Sequence, residues 1–449
     1  MESLDEKTSF DEKYHQRGFK RFSKTVKIVI IGVLSLFLLI PMVMIQELIR
    51  ERGWTQKEAI KEVSEKWSRE QVVTGPYINF QYPDVVEEDG KSKTIMRSLT
   101  LLPDELSVDG ELKTEVLKRG IYEVNVYQSE LLIKGSFSSN ELLKNKIDIS
   151  RLYPESAAIC LNLSDMRGIS QQIEIQLGDS VYSFEPGMDG KGIKEVGVHA
   201  MVNLSALKAN EVIPYKLKLN LKGSESIFFV PLGKTSHVTL RADWNSPSFS
   251  GNFLPINREV TETDFTAEWQ VLNLNRNYSQ VLSSHNQMYI NDINDSSFGV
   301  NLKIPVEQYQ QTMRSAKYAI LIILLTFGVI FFTEIVEKAR IHALQYLLVG
   351  LALCLFYSLL LSFAEHLGFN LAYLLSSVLT IALVSGYMIG VIKKKKPAFI
   401  MAGLLGVLYL YVFTLIQLET FALLVGSLGL FVILAIVMYF SKKIDWFTE

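Results

Sequence analysis

Six apolar runs, and the alternation of charge between them, constrain this chain more than any other feature of it. One lies near the start, at 26–45, and five crowd the last third, at 318–332, 344–363, 371–392, 398–416 and 421–440. Each is near the roughly 20 residues that carry a helix across a bilayer, the second once its flanks are included. The joints between them separate by charge. Lys338 with Arg340, Lys393 to Lys396, and Lys442 with Lys443 fall on one side, whereas 364–370 and 417–420 hold neither Lys nor Arg. Basic joints remain in the cytoplasm, so the pattern predicts six transmembrane helices, both termini cytoplasmic, and a large exported segment between the first two. Arg314 and Lys317, just outside the second helix, are the exception. They reach outer-leaflet phosphates by snorkelling, or pair with an acid of the exported segment or with Glu365.

The exported segment reads as an ordinary globular chain. Hydrophobic residues make up 49% of the whole and charged ones 20%, an apolar excess that the six runs absorb. A formal charge of −2 argues against nucleic acid as a partner. Cys160 and Cys354 fall in different phases on this topology and have no metal-like neighbours, so neither a disulfide nor a cofactor is expected.

In chain order, 1–25 is a polar cytoplasmic tail. Lys20, Arg21, Lys24 and Lys27 precede the run at 26–45, which lacks a small-x-small cleavage site and therefore reads as an uncleaved anchor. A charged juxtamembrane helix follows at 46–71, with Ile60, Val63 and Trp67 on one face. Thr74-Gly-Pro76 should stop it. From 72 to 312 the chain alternates with period two: Tyr215, Leu217, Leu219 and Leu221 face one way, Lys216, Lys218, Asn220 and Lys222 the other. Further strands are expected at 122–126, 173–177, 227–230 and 300–304. Many short strands predict an antiparallel β-sandwich or two sandwich lobes; Gly135-Ser-Phe137 and Gly251-Asn-Phe253 are a weak hint of duplication. The strand at 300–304 feeds through the neck at 310–317 into the five-helix membrane domain, 313–449, without a Gly/Ser linker.

Several motifs together resemble the CreD family of bacterial inner-membrane proteins. They are Glu58-Ala-Ile-Lys-Glu-Val63 with Thr74-Gly-Pro76, Arg119-Gly-Ile-Tyr-Glu-Val-Asn-Val-Tyr127, Trp244-Asn-Ser-Pro-Ser-Phe-Ser-Gly-Asn-Phe-Leu-Pro255, Asp264-Phe-Thr-Ala-Glu-Trp269 and the stretch 296–370. The resemblance covers nearly everything after the N-terminal tail. It implies a protein associated with cell-envelope integrity, often linked to a two-component regulatory system, with no established enzymatic chemistry. Family members often carry a proline after the histidine that corresponds to His342, where this chain has Ala343.

The residues themselves show no chemistry to set beside that. GxSxG, Walker and HExxH patterns are absent. His199, His237 and His285 lie in or beside strands, where a structural histidine is the ordinary case. Glu365-His366, at the outer end of the third helix, is the ionisable pair best placed to meet a proton, a cation or a headgroup, although adjacent residues face different ways. Glu334 and Lys338 read as an ordinary i,i+4 pair at the inner interface. Glu365, His366, Arg314 and Lys317 are thus the candidate functional residues. The leading expectation is an envelope protein that binds an envelope component or lipid through its exported domain, with Trp244, Phe249, Phe253 and Trp269 as possible contact surface. A transporter built on the helix bundle and a sensor or modulator of a two-component response are the alternatives.

Overall fold

The computed structural model describes residues 26–88, 91–145, 147, 149, 152–188, 193–194, 196–205, 210–283, 288–304, 307–337, 339–418 and 421–442. The tail 1–25, His285, Lys338 and Lys443 lie outside them. The chain divides into a β unit, 57–305, and a helical unit formed by residues up to 56 with those from 306 onward.

The β unit is built from two sheets. The first has nine strands: β1 (Gln71–Glu88), β2 (Lys91–Leu101), β5 (Ala157–Leu163), β8 (Glu185–Pro186), β9 (Val198–Val202), β11 (Ser226–Phe229), β13 (Ser248–Gly251), β16 (Val281–Ser283) and β17 (Phe298–Asn301). Its order is β13-β17-β11-β1-β5-β9-β8, with β2 pairing both β1 and β16. The second has eight: β3 (Glu105–Arg119), β4 (Tyr122–Ser138), β6 (Glu174–Leu177), β7 (Ser180–Ser183), β10 (Val212–Ser224), β12 (Thr235–Ala242), β14 (Asn257–Val260) and β15 (Phe265–Leu272), in the order β14-β15-β12-β3-β4-β10-β6-β7. In β10 the four apolar positions expected from alternation are buried and Lys216 and Lys218 exposed. Phe80 and Phe298 of the first sheet meet Leu131, Leu219, Leu240 and Trp269 of the second in one contiguous core.

Two lobes do not form. Strands from both halves of the sequence interleave, β1 pairing parallel with β11 and β3 with β12, so that neither half closes a core alone. The two Gly-x-Phe segments are not equivalent either: Gly135 lies inside β4, in the middle of its sheet, and Gly251 ends the edge strand β13. Thr74-Gly-Pro76 also differs from expectation. The helix ends earlier, at Trp67, and the motif sits inside β1, where the pairing with β5 shifts register between Thr74 and Tyr77. A bulge is where a sheet tolerates proline. Gly75 has φ +131° and approaches Cys160, so a side chain there would be strained.

The juxtamembrane helix docks by the face the spacing indicated. Trp67 Nε1 donates to the Tyr127 carbonyl at 3.5 Å, and the Lys222 ammonium lies 4.8 Å over its ring. Just beyond, Asp165 accepts from Arg69 N at 2.9 Å and from the Arg167 guanidinium at 2.9 and 2.7 Å. The Arg167 contacts foremost, with help from the backbone amides, hold its carboxyl down at about 2.

In the helical unit α1 (Val26–Trp67) is the first span, its last turns belonging to the β unit. Helical geometry is interrupted at Leu38, one turn before Pro41, which cannot donate to the carbonyl of Phe37. After the short helices α2 (Asn140–Lys144) and α3 (Met288–Asp295) of the β unit come α4 (Glu307–Lys317), α5 (Ala319–Val336), α6 (Ala343–Leu367), α7 (Phe369–Ile392), α8 (Lys395–Gln417) and α9 (Ala422–Lys442). Among the described residues six helices, α1 and α5 to α9, are long and apolar enough to span a membrane, as the charge pattern required. Phe356 of α6 packs on Tyr373 of α7 and Tyr409 of α8 with ring centroids 5.5 and 4.6 Å apart, and Tyr373 donates to the Tyr409 carbonyl at 2.9 Å. Gly350 of α6 lets Leu38 of α1 come close: a Cβ there would lie 2.2 Å from its side chain.

Candidate functional site

Two carboxylates of the helical unit are drawn inward, one near each end of the bundle, and each meets a tyrosine and a cation from α1. Glu365 is one of them. It sits in the last turns of α6 with its side chain only 11% exposed, accepts from Tyr309 of α4 at 3.0 Å, and has Arg52 Nε at 3.9 Å. His366 is exposed, so the neighbours diverge as helix geometry demands. Arg314 and Lys317, three residues apart, share the exposed face of α4, with Thr312, Ser315 and Ala316 buried behind them. Arg52 and Tyr309, not anticipated from the sequence, are the groups recorded at Glu365.

The second carboxylate is Glu334, in the last turn of α5. Its side chain is 7% exposed. One oxygen accepts from Lys27 of α1 and from the backbone amide of Ile341 at 3.1 Å, the other from Tyr346 of α6 at 3.1 Å. Glu334 is thus not at a wet interface but at a buried junction of three segments; its expected partner Lys338 lies outside the described residues. The reason is geometric. At the end of α5 the Glu334 side chain turns into the gap between α1 and α6, where burial without partners would cost several kcal/mol and three donors offset that cost. Glu337, with its side chain 25% exposed, instead pairs with Lys394 at 2.6 Å.

Lys27 and Arg52 lie 25 positions apart, about 37 Å along a helix, close to the full thickness of a bilayer with its interfaces. Helix α1 is thus fastened to the bundle near both membrane surfaces. In each cluster the carboxylate is held by side chains of the helical unit itself. Among the described residues no group of three or more His, Cys, Asp or Glu could hold a metal ion. His199 is buried, its Nδ1 2.7 Å from the Gly187 carbonyl, and His237 is exposed on β12. Cys160 and Cys354 are free and buried.

In the β unit the four aromatics considered as contact surface serve the core instead. Trp269 is 1% exposed, its ring 5.7 Å from Phe298 and 5.8 Å from Phe249; Phe253 lies 6.0 Å from Phe298, and Trp244 is partly buried against the same cluster. Phe249 and Trp269 turn inward from strands β13 and β15, and Trp244 and Phe253 reach the same cluster from the segments flanking β13, which the pattern of one strand does not disclose. What remains open is the edge strand β14. All four of its residues are exposed, and exposed Leu254 and Ile256 lead into it.

A β-sandwich inserted between the first and second of six membrane-spanning helices, with inward carboxylates tied to α1, defines a polytopic membrane protein with a large β-rich domain. The family described as Inner membrane protein CreD matches residues 23–447. A relative from Escherichia coli strain K12, itself named Inner membrane protein CreD, is 32% identical over 418 residues, covering 92% of this chain and 91% of that protein. The chain belongs to the CreD family. Its departure at Ala343 is accommodated, since that residue is the first of α6, a position where proline and alanine both fit.

Proposed function

We propose that the protein supports the cell envelope as a non-catalytic binding protein: the β-sandwich lies outside the inner membrane, both termini lie in the cytoplasm, and the sandwich adds an extended segment of another envelope protein as a strand beside β14. The inner-membrane name of the relative and the positive-inside charge pattern support the orientation. The β14 edge carries the rest. It ends the eight-stranded sheet, and its partner β15 is in register from Asn257 opposite Glu268 to Val260 opposite Phe265. Thr261 donates inward to the Asp264 carbonyl at 2.8 Å in the register of this ladder, so by alternation the amides and carbonyls of Arg258 and Val260 face away from the sheet. Such an edge is a template for strand addition, and exposed Leu254, Ile256 and Val260 offer apolar grip beside it.

The other edges are poorer templates. β8 is two residues long and ends in proline, β13 turns Phe249 onto the core, and β7 exposes a single large apolar side chain, Val181. Transport is the weaker reading, because Glu334 and Glu365 occupy helix ends and bind their own partners, whereas a relay needs ionisable groups at mid-span. Proline at both Arg258 and Val260 tests the proposal, since it removes two outward donors and leaves the inward bonds of the β14–β15 ladder in place. A strain lacking the native protein should regain envelope-stress tolerance with the wild type and not with the double variant produced at equal level. Full rescue by the double variant would refute strand addition.

A further inference from the structure

The helical unit contains a cleft that neither the carboxylate clusters nor the β14 edge accounts for. It lies between α5, α8 and α9, has a volume of about 1090 Å³, and is walled by side chains such as Leu325, Val329, Ile400, Val407, Leu428 and Val432. That is at the upper end of the roughly 300–1,000 Å³ usual for ligand pockets. The cleft exists because α9 leans on its neighbours only lightly: no residue of its apolar window is buried.

The two ends of the cleft differ. Toward the far end Tyr411 of α8 lies flat on α9, donating to the carbonyls of Val425 and Gly426 at 3.3 and 3.1 Å, and a Cβ on Gly429 would fall 2.0 Å from its hydroxyl. Contact there pins α8 to α9 and closes the space between them. At the near end the lining becomes polar, with Glu337 and Lys396 beside Pro397. Lys396 lines this mouth, Lys393, Lys394 and Lys395 just before it are exposed, and the one acid among the described lining residues, Glu337, pairs with Lys394. From Lys396 to Tyr411 the wall runs about 22 Å, most of the roughly 30 Å hydrocarbon core.

A long apolar slot, closed at one end and cationic at the other, matches a ligand with an anionic head and apolar tails. It does not match a spanning helix, which would need the slot open through its height. We propose that this cleft is a binding site for an anionic phospholipid, its acyl chains lying between α5, α8 and α9 and its phosphate meeting Lys395 and Lys396. The inference is independent of strand addition at β14.

The full-length protein in nanodiscs, loaded with phosphatidylglycerol or phosphatidylethanolamine and analysed by native mass spectrometry, tests it. At about fivefold per lysine, K395Q with K396Q should weaken retained phosphatidylglycerol by about 25-fold and leave phosphatidylethanolamine unchanged. V407W, which fills the cleft, should abolish retention. L423W, on a side chain 86% exposed to lipid, should change nothing and controls for folding. Equal retention by all variants, or by both lipids in the wild type, would overturn the site. So would a crosslinked homodimer or a captured partner helix from V407C, since either would show the slot to be a helix interface.

Discussion

Glu334 and Lys27 are unequally buried, with side chains 7% and 39% exposed, and that inequality decides what each substitution costs. Lys27→Met removes the cation recorded at a buried carboxylate, at a cost of about 3 kcal/mol, whereas Glu334→Gln leaves a lysine that reaches water, at about 1 kcal/mol. Thermal melting of the detergent-solubilised protein should rank them in that order; the reverse would mean that the charge being held is that of Lys27. Asp165 gives a pH-dependent counterpart in the β unit. Its folded carboxyl is held at about 2 against an ordinary 3.8, so its contribution is complete above pH 4 and fades as the pH falls toward 2. The stability gap between wild type and Asp165→Asn should therefore shrink from pH 5 to pH 2; a constant gap would contradict the Arg167 pairing. The partners of Glu334 were not legible in the sequence. Lys27 lies 307 positions from Glu334, and no local spacing records a contact that only helix packing creates. Glu365 stood out as an acid at the end of an apolar run, yet Arg52 and Tyr309 did not, for the same reason.

At the level of elements, alternation and apolar length were readable and pairing was not. Strand β10 appears where period two placed it, because one face of a sheet must be buried. The parallel pairings of β1 with β11 and β3 with β12 join segments more than a hundred residues apart, and they turned an expectation of possible lobes into one sandwich. Gly135 shows how tight the centre of that sandwich is. A Cβ there would lie 1.9 Å from the Glu105 carbonyl and 2.5 Å from the Tyr215 hydroxyl, which itself donates to that carbonyl. Because the clash is with backbone, Gly135→Ala should destabilise the β unit by about 2–3 kcal/mol, seen as a lower urea midpoint of tryptophan fluorescence. An unchanged midpoint would show that β3 and β4 can separate without penalty. The β14 edge escaped the sequence reading because its residues look like any polar turn; only its place at the end of a sheet makes its backbone available.

For the whole molecule, the count of six spans followed from charge and length alone, since both are set by the bilayer and not by packing. The proposed orientation predicts that in intact cells with a permeable outer membrane Leu274→Cys reacts with an impermeant maleimide and Lys395→Cys does not. Native Cys160 and Cys354 are buried and give little background. Labelling at Lys395→Cys would invert the topology. The claim on which the function rests is engagement of a protein partner at β14. The direct measurement is in-cell photocrosslinking from position 259 on β14, with position 181 on β7, the opposite edge of the same sheet, as reference. A discrete envelope-protein adduct from 259 and none from 181 is the predicted result. No adduct, lipid adducts alone, or the same adduct from both edges would contradict it.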